Sequence, residues 1–406
     1  MRATLSALML IFSLCAAAEL SPLPSPAAPG SLAPTWTVLA DGRLVLSWLE
    51  RVDPGHAFRF SVFDGQAFGA VGDIARGPDW FANWADMPGV FELGNGHWLA
   101  HWLVKSGPAT FAYDVIMAAS ADEGQSWSAP FSPHDDRTQT EHGFVSYFPE
   151  TAESAGVVWL DGRETAGAEP DDATEHHHHH HASGPMSLRS AVIDAAGQVR
   201  ESSLLDQRVC DCCQTAAALS DLGPVVIYRG RSAEELRDIR IVRRIDGQWT
   251  DPVKLHQDGW RIEACPVNGP ALIARENQLV AAWFTMADDH PRVQLALSTD
   301  SGASFTHLIS LGEGRALGRV DLAWWQDGFV VSWLDGGSPQ AALRLAYFDA
   351  KGGLIWQREL DAIDQGRISG FPRLASPDGQ RLLLTWTGPD PQQRSQVHVA
   401  ELVQPD

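Results

Sequence analysis

The chain has 406 residues, 44% of them hydrophobic, and 51 acidic side chains exceed 30 basic ones, which gives a formal net charge of −21. This charge argues against nucleic acid and anionic membrane surfaces as partners, because both are themselves negatively charged. The hydrophobic content is sufficient for a large core, and a repeat fold of this length can form one folded unit. We therefore predict a single domain and expect a monomer.

The first eighteen residues have the features of a secretory signal peptide. Arg2 supplies a positive start, residues 5–17 are almost wholly apolar, and small alanines precede the polar Glu19. The apolar stretch is too short for a membrane-spanning helix, and no later stretch is long enough. We predict export to the periplasm or the medium, no membrane span, and a mature chain of residues 19–406.

One strand pattern recurs along the whole mature chain. A strand and a tight turn lead into an apolar strand that ends in an aromatic residue, and a further strand follows. The aromatic ends are Trp48, Trp102, Trp159, Tyr228, Trp283, Trp333 and Trp386. Sheets repeated in this way are typical of a β-propeller. We predict an all-β propeller with seven four-stranded blades, or six as the alternative, and expect the segment Glu19–Leu23 to close the ring.

Two turns that follow third strands share the pattern Ser-x-Asp-x-Gly-x-x-aromatic. Their residues are Ser120, Asp122, Gly124 and Trp127 in one turn and Ser298, Asp300, Gly302 and Phe305 in the other. The aspartate can accept hydrogen bonds from turn amides, and the glycine can adopt a positive φ. The pattern resembles the Asp-box, or bacterial neuraminidase repeat, of the sialidase superfamily. This resemblance implies that the boxes stabilise the fold on the face opposite the active site.

Three further segments resemble a group of exported bacterial sialidase-like proteins. They are RVCDCCQT (208–215), YRGRSAEELRDI (228–239) and ACPVNGPA (264–271). Sialidases carry an arginine triad, a Tyr-Glu pair, an aspartic acid and an Arg-Ile-Pro segment. The corresponding first-blade region here reads HAFRFSVF, and Tyr147 alone among the tyrosines is expected to face the channel. We therefore predict that the sialidase set is absent.

The strand order places the unusual polar residues on one face, at the mouth of the central channel. The candidate ligand-binding residues are Asn83, His142, Arg163, Gln214, Arg229, Arg231, Asn268 and Arg319. Converging arginines favour an anionic or carbohydrate-like ligand, such as a small molecule or glycan. Salt bridges that hold the loops in place are the alternative role for these arginines.

A second hypothesis is a glycoside hydrolase with a non-standard active site. Acid–base catalysis of glycoside cleavage needs carboxyl groups around the scissile bond. Glu141, Asp161 and Glu234 are candidate catalytic residues because their positions in the chain place them in the mouth loops.

The cysteines support two different hypotheses. Removal of the signal peptide leaves Cys210, Cys212, Cys213 and Cys265, and an even number in an oxidising compartment favours disulfides. We predict a bridge from Cys265 to Cys212 or Cys213. The alternative is a copper or zinc site in a periplasmic metal-binding protein, with the four cysteines and His142 as ligands. No cofactor is favoured.

The sequence leaves two questions undecided, one at the signal peptide and one at a histidine-rich loop. Cys15 could carry a lipid, although the bulky Leu14 precedes it where a small residue is usual. His176–His181 form an uninterrupted run inside an acidic loop of about residues 165–185. We predict that this loop is disordered, and deprotonated histidines in it could bind divalent metals.

Overall fold

The computed structural model of the chain describes residues 19–167, 184–337, 340–363 and 366–403. The predicted signal peptide, Cys15 and the run His176–His181 lie outside these residues, as does most of the predicted disordered loop. Export and lipidation therefore stay predictions. Within the described ranges, no helix is both long and apolar enough to cross a bilayer.

Seven antiparallel sheets form the blades of a β-propeller, which confirms the predicted fold class and blade number. In the part of the chain that the structure describes, the helical elements are single 3-10 turns at Arg163–Thr165, Ala287–Asp289 and Arg367–Ser369. The first three blades contain β2 (Ser31–Val38), β3 (Leu44–Arg51), β4 (His56–Phe63) and β5 (Gly72–Gly77); β6 (Gly89–Gly94), β7 (His97–Lys105) and β8 (Tyr113–Ser120); and β9 (His142–Thr151), β10 (Ser154–Asp161), β11 (Ser187–Asp194) and β12 (Val199–Asp206). In the second blade, a bridge between Met117 and Phe131 marks the fourth-strand position.

The remaining blades repeat this arrangement. They contain β13 (Ala216–Ser220), β14 (Gly223–Arg229), β15 (Ile239–Ile245), β16 (Gln248–Trp249) and β17 (Val253–Lys254); β18 (Ala271–Arg275), β19 (Gln278–Thr285), β20 (Arg292–Ser298) and β21 (Thr306–Leu311); β22 (Ala316–Trp325), β23 (Gly328–Asp335), β24 (Ala341–Asp349) and β25 (Leu354–Ile363); and β26 (Arg373–Ala375), β27 (Leu382–Pro389), β28 (Ser395–Val403) and β1 (Glu19–Leu23).

The innermost strands are arranged in a ring. Each innermost strand contacts that of the next blade, from β2 through β6, β9, β13, β18 and β22 to β26, and β26 contacts β2. In the seventh blade β1 pairs antiparallel with β28, with Glu19 opposite Val403 and Leu23 opposite Val399. The outermost strand of this blade therefore comes from the opposite end of the described chain to its three partners.

The aromatic ends of the second strands anchor the blades. Six of these seven aromatic side chains are buried, and Trp386 is partly buried. In three blades the buried tryptophan donates its indole N–H to an acid two residues later: Trp48 to Glu50 at 3.1 Å, Trp159 to Asp161 at 2.8 Å and Trp333 to Asp335 at 2.8 Å. The hydrogen bond therefore lies within the end of the second strand in these three blades.

The same acids also face an arginine on the third strand. Arg59, Arg189 and Arg344 lie directly opposite the three tryptophans in the strand register. Their guanidinium nitrogens lie 2.5 Å, 3.8 Å and 2.5 Å from the corresponding acids. The tryptophan–acid–arginine group is therefore a structural unit of the blade, repeated three times.

The two Ser-x-Asp-x-Gly turns have the same hydrogen bonds. Ser120 donates to Asp122 at 2.8 Å and accepts from the Gly124 amide at 2.9 Å. The matching contacts of Ser298 with Asp300 and Gly302 measure 2.7 Å and 2.9 Å. The two glycines have φ values of 79° and 77°, a region that favours glycine. Trp127 and Phe305 pack against the hydrophobic clusters of their blades, so these turns stabilise the fold.

Candidate functional site

The ends of the second strands and the starts of the third strands define one face of the propeller, and we call this face the mouth. Tyr113 is the first residue of β8 in the second blade, and Glu141 immediately precedes β9 in the third blade. The two residues are joined by an isolated parallel bridge. The strands thus bring a phenol and a carboxyl group together between two neighbouring blades.

The Tyr113 hydroxyl lies between two carboxyl groups at the mouth. It is 2.8 Å from Glu141 Oε1 and 3.0 Å from Asp86 Oδ2. A phenol has one proton to donate, so both contacts are hydrogen bonds only when one of the carboxyl groups is protonated. Asp86 is buried, whereas Glu141 is partly exposed. We call Asp86, Tyr113 and Glu141 the acid cluster.

The environment of the acid cluster favours the neutral carboxyl forms. Burial raises the pKa of Asp86 to about 7, although hydrogen bonds from the Phe144 amide and Tyr113 oppose the shift. Burial, together with the charges of Asp211, Asp86 and Cys210, raises the pKa of Glu141 to about 8 against the hydrogen bond from Tyr113. Burial and the two adjacent carboxyl groups raise the pKa of Tyr113 well above its usual value.

Local packing fixes the acid cluster. The ring of Phe81 stacks on Tyr113 with centroids 4.1 Å apart, and the Phe144 amide donates to Asp86 Oδ1 at 2.7 Å. A Cβ atom at Gly143 would lie 1.9 Å from Asp86 Oδ2, so glycine is required at this close approach. The predicted ligand residue Asn83 accepts from the amides of Ala85 and Asp86, and it therefore shapes the loop that carries Asp86.

A cysteine cluster adjoins the acid cluster. Cys210 and Cys213 are buried, and their sulfur atoms lie 3.3 Å apart. Burial of Cys210 opposes ionisation, but hydrogen bonds from Cys212 and Cys213 and the charge of Arg237, whose Nη1 lies 3.1 Å from the sulfur, hold its pKa well below the usual range. The sulfur of Cys210 therefore lies in a setting that favours its thiolate form, beside the guanidinium of Arg237.

The predicted bridge from Cys265 to Cys212 or Cys213 is absent from the structure. All four cysteines belong to the described chain, and all four are free. The RVCDCCQT loop turns the sulfurs of Cys210 and Cys213 toward each other, while Cys265 is exposed. The closely spaced cysteines thus interact with one another and with Arg237.

Two arginines predicted to bind a ligand are instead bound to backbone. Arg229 is 1% exposed and donates to the carbonyl oxygens of Asn268, Arg237 and Phe284 at 2.9, 2.7 and 2.7 Å. Arg319 donates to Ser369 and to the carbonyls of Gly370 and Gly366, and its guanidinium lies 4.9 Å from the Trp84 ring. Both guanidinium groups thus have partners within the protein, and their predicted ligand role stays a prediction.

The predicted ligand amides connect the loops that precede different blades. Gln214 donates to the Ala85 carbonyl at 2.7 Å and accepts from the Gly269 amide at 2.8 Å. Asn268 accepts from the Arg319 amide at 2.8 Å and donates to the Leu317 carbonyl at 3.2 Å. These contacts position the mouth loops, and both amide groups have protein partners for their donors and acceptors.

The two remaining arginines are paired with acids from the surrounding strands and loops. Arg231 contacts Glu235 at 2.9 Å and Asp211 at 2.8 Å. Arg163 contacts Asp161 at 2.7 Å and Asp136 at 3.3 Å. Their charges are balanced within the protein, which agrees with the alternative role considered from the sequence, namely salt bridges that hold the loops in place.

The three predicted catalytic carboxyls occupy different environments. Glu141 belongs to the acid cluster, whereas Glu234 is exposed and the arginines of its loop pair with Glu235 instead. Asp161 is fully buried and belongs to the repeated tryptophan–acid–arginine unit. The structure therefore retains Glu141 as a candidate and assigns Asp161 to the fold.

Asp161→Asn is expected to lower the free energy of unfolding by about 1.5–3 kcal/mol, because charged hydrogen bonds of a buried acid are weakened. Asp335→Asn, the matching change in the sixth blade, is expected to cause a similar loss. Urea denaturation of both variants measures the two effects. A loss of catalytic turnover in Asp161→Asn that Asp335→Asn does not share would contradict the structural role.

A cavity of about 170 Å³ lies among the innermost strands below the mouth, and Asp86 and Tyr147 line it. The Tyr147 hydroxyl lies 2.7 Å from His101 Nδ1, and its ring stacks on Phe91 at 5.1 Å. Tyr147 thus faces the channel as predicted. Tyr113 is fully buried and contacts Asp86, which lines the cavity, and its place at the start of a third strand was a usable signal for the mouth.

His142 is fully buried and does not group with the cysteines as potential metal ligands. It stacks on His134, with ring centroids 4.0 Å apart, and lies beside Asp114 and Asp136. Sequence reasoning missed these three neighbours and Asp86. The segment HDDRTQTEH offered a signal for His134 and Asp136, but only the fold brings Asp114 to them.

No protein-family model matches the sequence, and no curated protein matches it. Among solved structures, the chain is similar to a protein of unknown function from Dyadobacter fermentans, with 14% identity over 96% of this chain and 98% of that chain and a TM-score of 0.54. It is also similar to a PL25 polysaccharide lyase, an ulvan lyase, with 11% identity over 80% of each chain and a TM-score of 0.50. A further match is a K499G mutant of the NanB sialidase from Streptococcus pneumoniae, with 8% identity over 89% and 83% of the chains and a TM-score of 0.47. At these identities the similarity concerns the propeller fold alone.

Proposed function

We propose that this propeller is a carbohydrate-active enzyme that hydrolyses a glycosidic bond at its mouth, with Glu141 as the proton donor. The observation that carries the proposal is the Tyr113 hydroxyl held between the carboxyl groups of Glu141 and Asp86. Glycoside hydrolysis uses a carboxyl group of raised pKa as its general acid, and the pKa of Glu141 is raised to about 8. The similar fold of a polysaccharide lyase also supports a carbohydrate substrate.

The difference in exposure assigns roles within the acid cluster. Glu141 is partly exposed and can reach a bound sugar, whereas Asp86 is 1% exposed. Glu141 donates its proton to the glycosidic oxygen as the bond to carbon breaks, and water adds a hydroxyl to the sugar and returns a proton to Glu141. Tyr113 orients Glu141, and Asp86 orients Tyr113, so both are positioning residues.

The charges at the mouth favour an uncharged sugar as the substrate. Each arginine predicted to hold an anion has a protein partner, namely backbone oxygens for Arg229 and acids for Arg163 and Arg231. Cys210 and Asp211 lie near Glu141, but each is paired with an arginine, Cys210 with Arg237 and Asp211 with Arg231. A negatively charged sugar would therefore gain little from this mouth.

A tyrosine nucleophile of the sialidase kind is not supported. The Tyr113 hydroxyl faces two acidic groups, and a phenolate at that position would be repelled by any carboxylate beside it. The hydroxyl is therefore expected to stay protonated and to serve as a hydrogen-bond donor.

The full-length protein incubated with uncharged polysaccharides, sialylated glycans and uronate-containing glycans is expected to release reducing ends from an uncharged glycan. Tyr113→Phe is expected to lower the turnover number by at least about tenfold, since Glu141 loses its hydrogen bond. Tyr147→Phe is the matched control and is expected to retain activity, because its hydroxyl contacts His101 instead. Free sialic acid, unsaturated uronate products or the absence of any cleavage would contradict the proposal.

A further inference from the structure

Three buried side-chain atoms without hydrogen-bond partners face one another between the second and third blades. They are Asp114 Oδ1, His134 Nε2 and His142 Nδ1, and they lie within 4.8 Å of one another. Asp114 Oδ1 is 3.5 Å from His142 Nδ1 and 3.9 Å from His134 Nε2. Buried polar atoms are normally paired, so this convergence requires a physical explanation.

The opposite nitrogens of both histidines face a single carboxylate. His134 Nδ1 lies 3.0 Å from Asp136 Oδ1, and His142 Nε2 lies 3.2 Å from Asp136 Oδ2. An ionised carboxylate only accepts hydrogen bonds, so the nitrogens that face it carry the protons. Burial opposes protonation of His142, but Asp114 and Asp136 raise its pKa to about 9, so a bound metal ion must displace the proton from Nδ1. In the neutral imidazoles, the lone pairs of His134 Nε2 and His142 Nδ1 lie on the side of Asp114. A carboxylate behind a histidine in this way is the usual outer support of a metal ligand.

We propose that His134, His142 and Asp114 bind a divalent transition-metal ion, for which Zn²⁺ is the best match. Two imidazole nitrogens and one carboxylate oxygen are a ligand set that zinc accepts. Zinc bonds of 2.0–2.1 Å in tetrahedral geometry separate ligand atoms by about 3.3 Å, which is close to the observed separations. Because the two imidazole rings are nearly parallel, with an interplanar angle of 7°, they must tilt toward each other before both nitrogens can bind one ion.

Burial around the site leaves one side open. The His142 side chain is fully buried and that of His134 is 3% exposed, whereas the Asp114 side chain is 28% exposed. An ion held by three protein ligands would therefore keep a fourth position for water on the side of Asp114.

Two competing sets of ligands are less suitable. The group Asp136, His142 and Asp161 also converges, but Trp159 and Arg163 already donate to Asp161 and Thr138 donates to Asp136. In the cysteine cluster, the positive charge of Arg237 already lies 3.1 Å from Cys210. Asp114, His134 and His142 differ from the carboxylate-rich group because each of the three contributes an unpartnered atom, whereas only His142 does so there. This inference does not depend on the proposed catalytic function.

The test uses a full-length chain in which serine replaces His176–His181, because that run could bind metal by itself. After treatment with EDTA, incubation with zinc and gel filtration, elemental analysis is expected to find one zinc ion per chain. Asp114→Asn, which alters the most exposed ligand, is expected to lose at least about 90% of this zinc. His290→Ala, at an exposed histidine, and Cys213→Ser are expected to retain it.

Two further measurements keep the test decisive if a variant folds poorly. The cobalt-loaded protein is expected to show visible bands without thiolate-to-cobalt charge transfer, because its ligands are nitrogen and oxygen. Zinc is expected to raise the melting temperature of the parent chain but not that of Asp114→Asn. Less than stoichiometric zinc in the parent chain would overturn the proposal. Retention of zinc by Asp114→Asn combined with its loss from Cys213→Ser would also overturn it.

Discussion

Replacing Arg229 with alanine is expected to lower the free energy of unfolding by about 3–5 kcal/mol. The guanidinium donates to three backbone carbonyls from separate parts of the fourth and fifth blades, and it also packs 4.9 Å from the Trp260 ring. Alanine leaves the three oxygens buried without donors and creates a cavity beside the indole. A shift of the urea unfolding midpoint measures this effect.

Arg231→Ala is the matched control, since both arginines flank Gly230 in the same loop. Its partners Glu235 and Asp211 are also partly exposed, and its own side chain is 21% exposed. Removal of such a pair is expected to cost about 0–1 kcal/mol. A small loss of stability in Arg229→Ala, combined with weakened ligand binding, would instead support the ligand role that the sequence suggested.

The fold was predictable because its signals are periodic. Seven apolar strands ending in an aromatic residue predict seven blades, and Trp48, Trp159 and Trp333 have equivalent surroundings in the structure. The same repeat indicated a structural role for Asp161, because an acidic residue lies two positions after each of these three tryptophans. Comparison of the blades within the sequence therefore distinguishes a repeated structural acid from a unique one such as Glu141.

The site was only partly predictable because its contacts join distant parts of the chain. Glu141 was identified from its place in a mouth loop, but its partner Asp86 comes from the preceding loop, 55 positions earlier. The directions of the side chains decide which residues meet at the site, and the order of the strands alone does not predict those directions. Arginine is the residue type expected at an anion site, but the side chain of Arg229 points into the protein. There the carbonyls of Arg237 and Phe284 accept hydrogen bonds from its guanidinium group.

The metal ligands could likewise be predicted only in part from the sequence. The sequence drew attention to the cysteines and to His142, because soft ligands close in sequence are conspicuous. The structure instead brings His142 to Asp114 and His134, which are contributed by a third strand and by the connection between two blades. The spacing of His134 and His142 reveals neither their stacking nor the carboxylate that faces both.

The most direct test of the proposed function is the turnover number of Glu141→Gln on the glycan that the parent protein cleaves. The amide keeps the shape of the side chain but removes the acid, so turnover is expected to fall about 10²–10⁴-fold. Glu234→Gln, the same change at an exposed glutamate of a mouth loop, is expected to keep turnover within about twofold. Melting temperatures of both variants verify that they are folded. Wild-type turnover by folded Glu141→Gln would contradict the proposal that Glu141 is the proton donor.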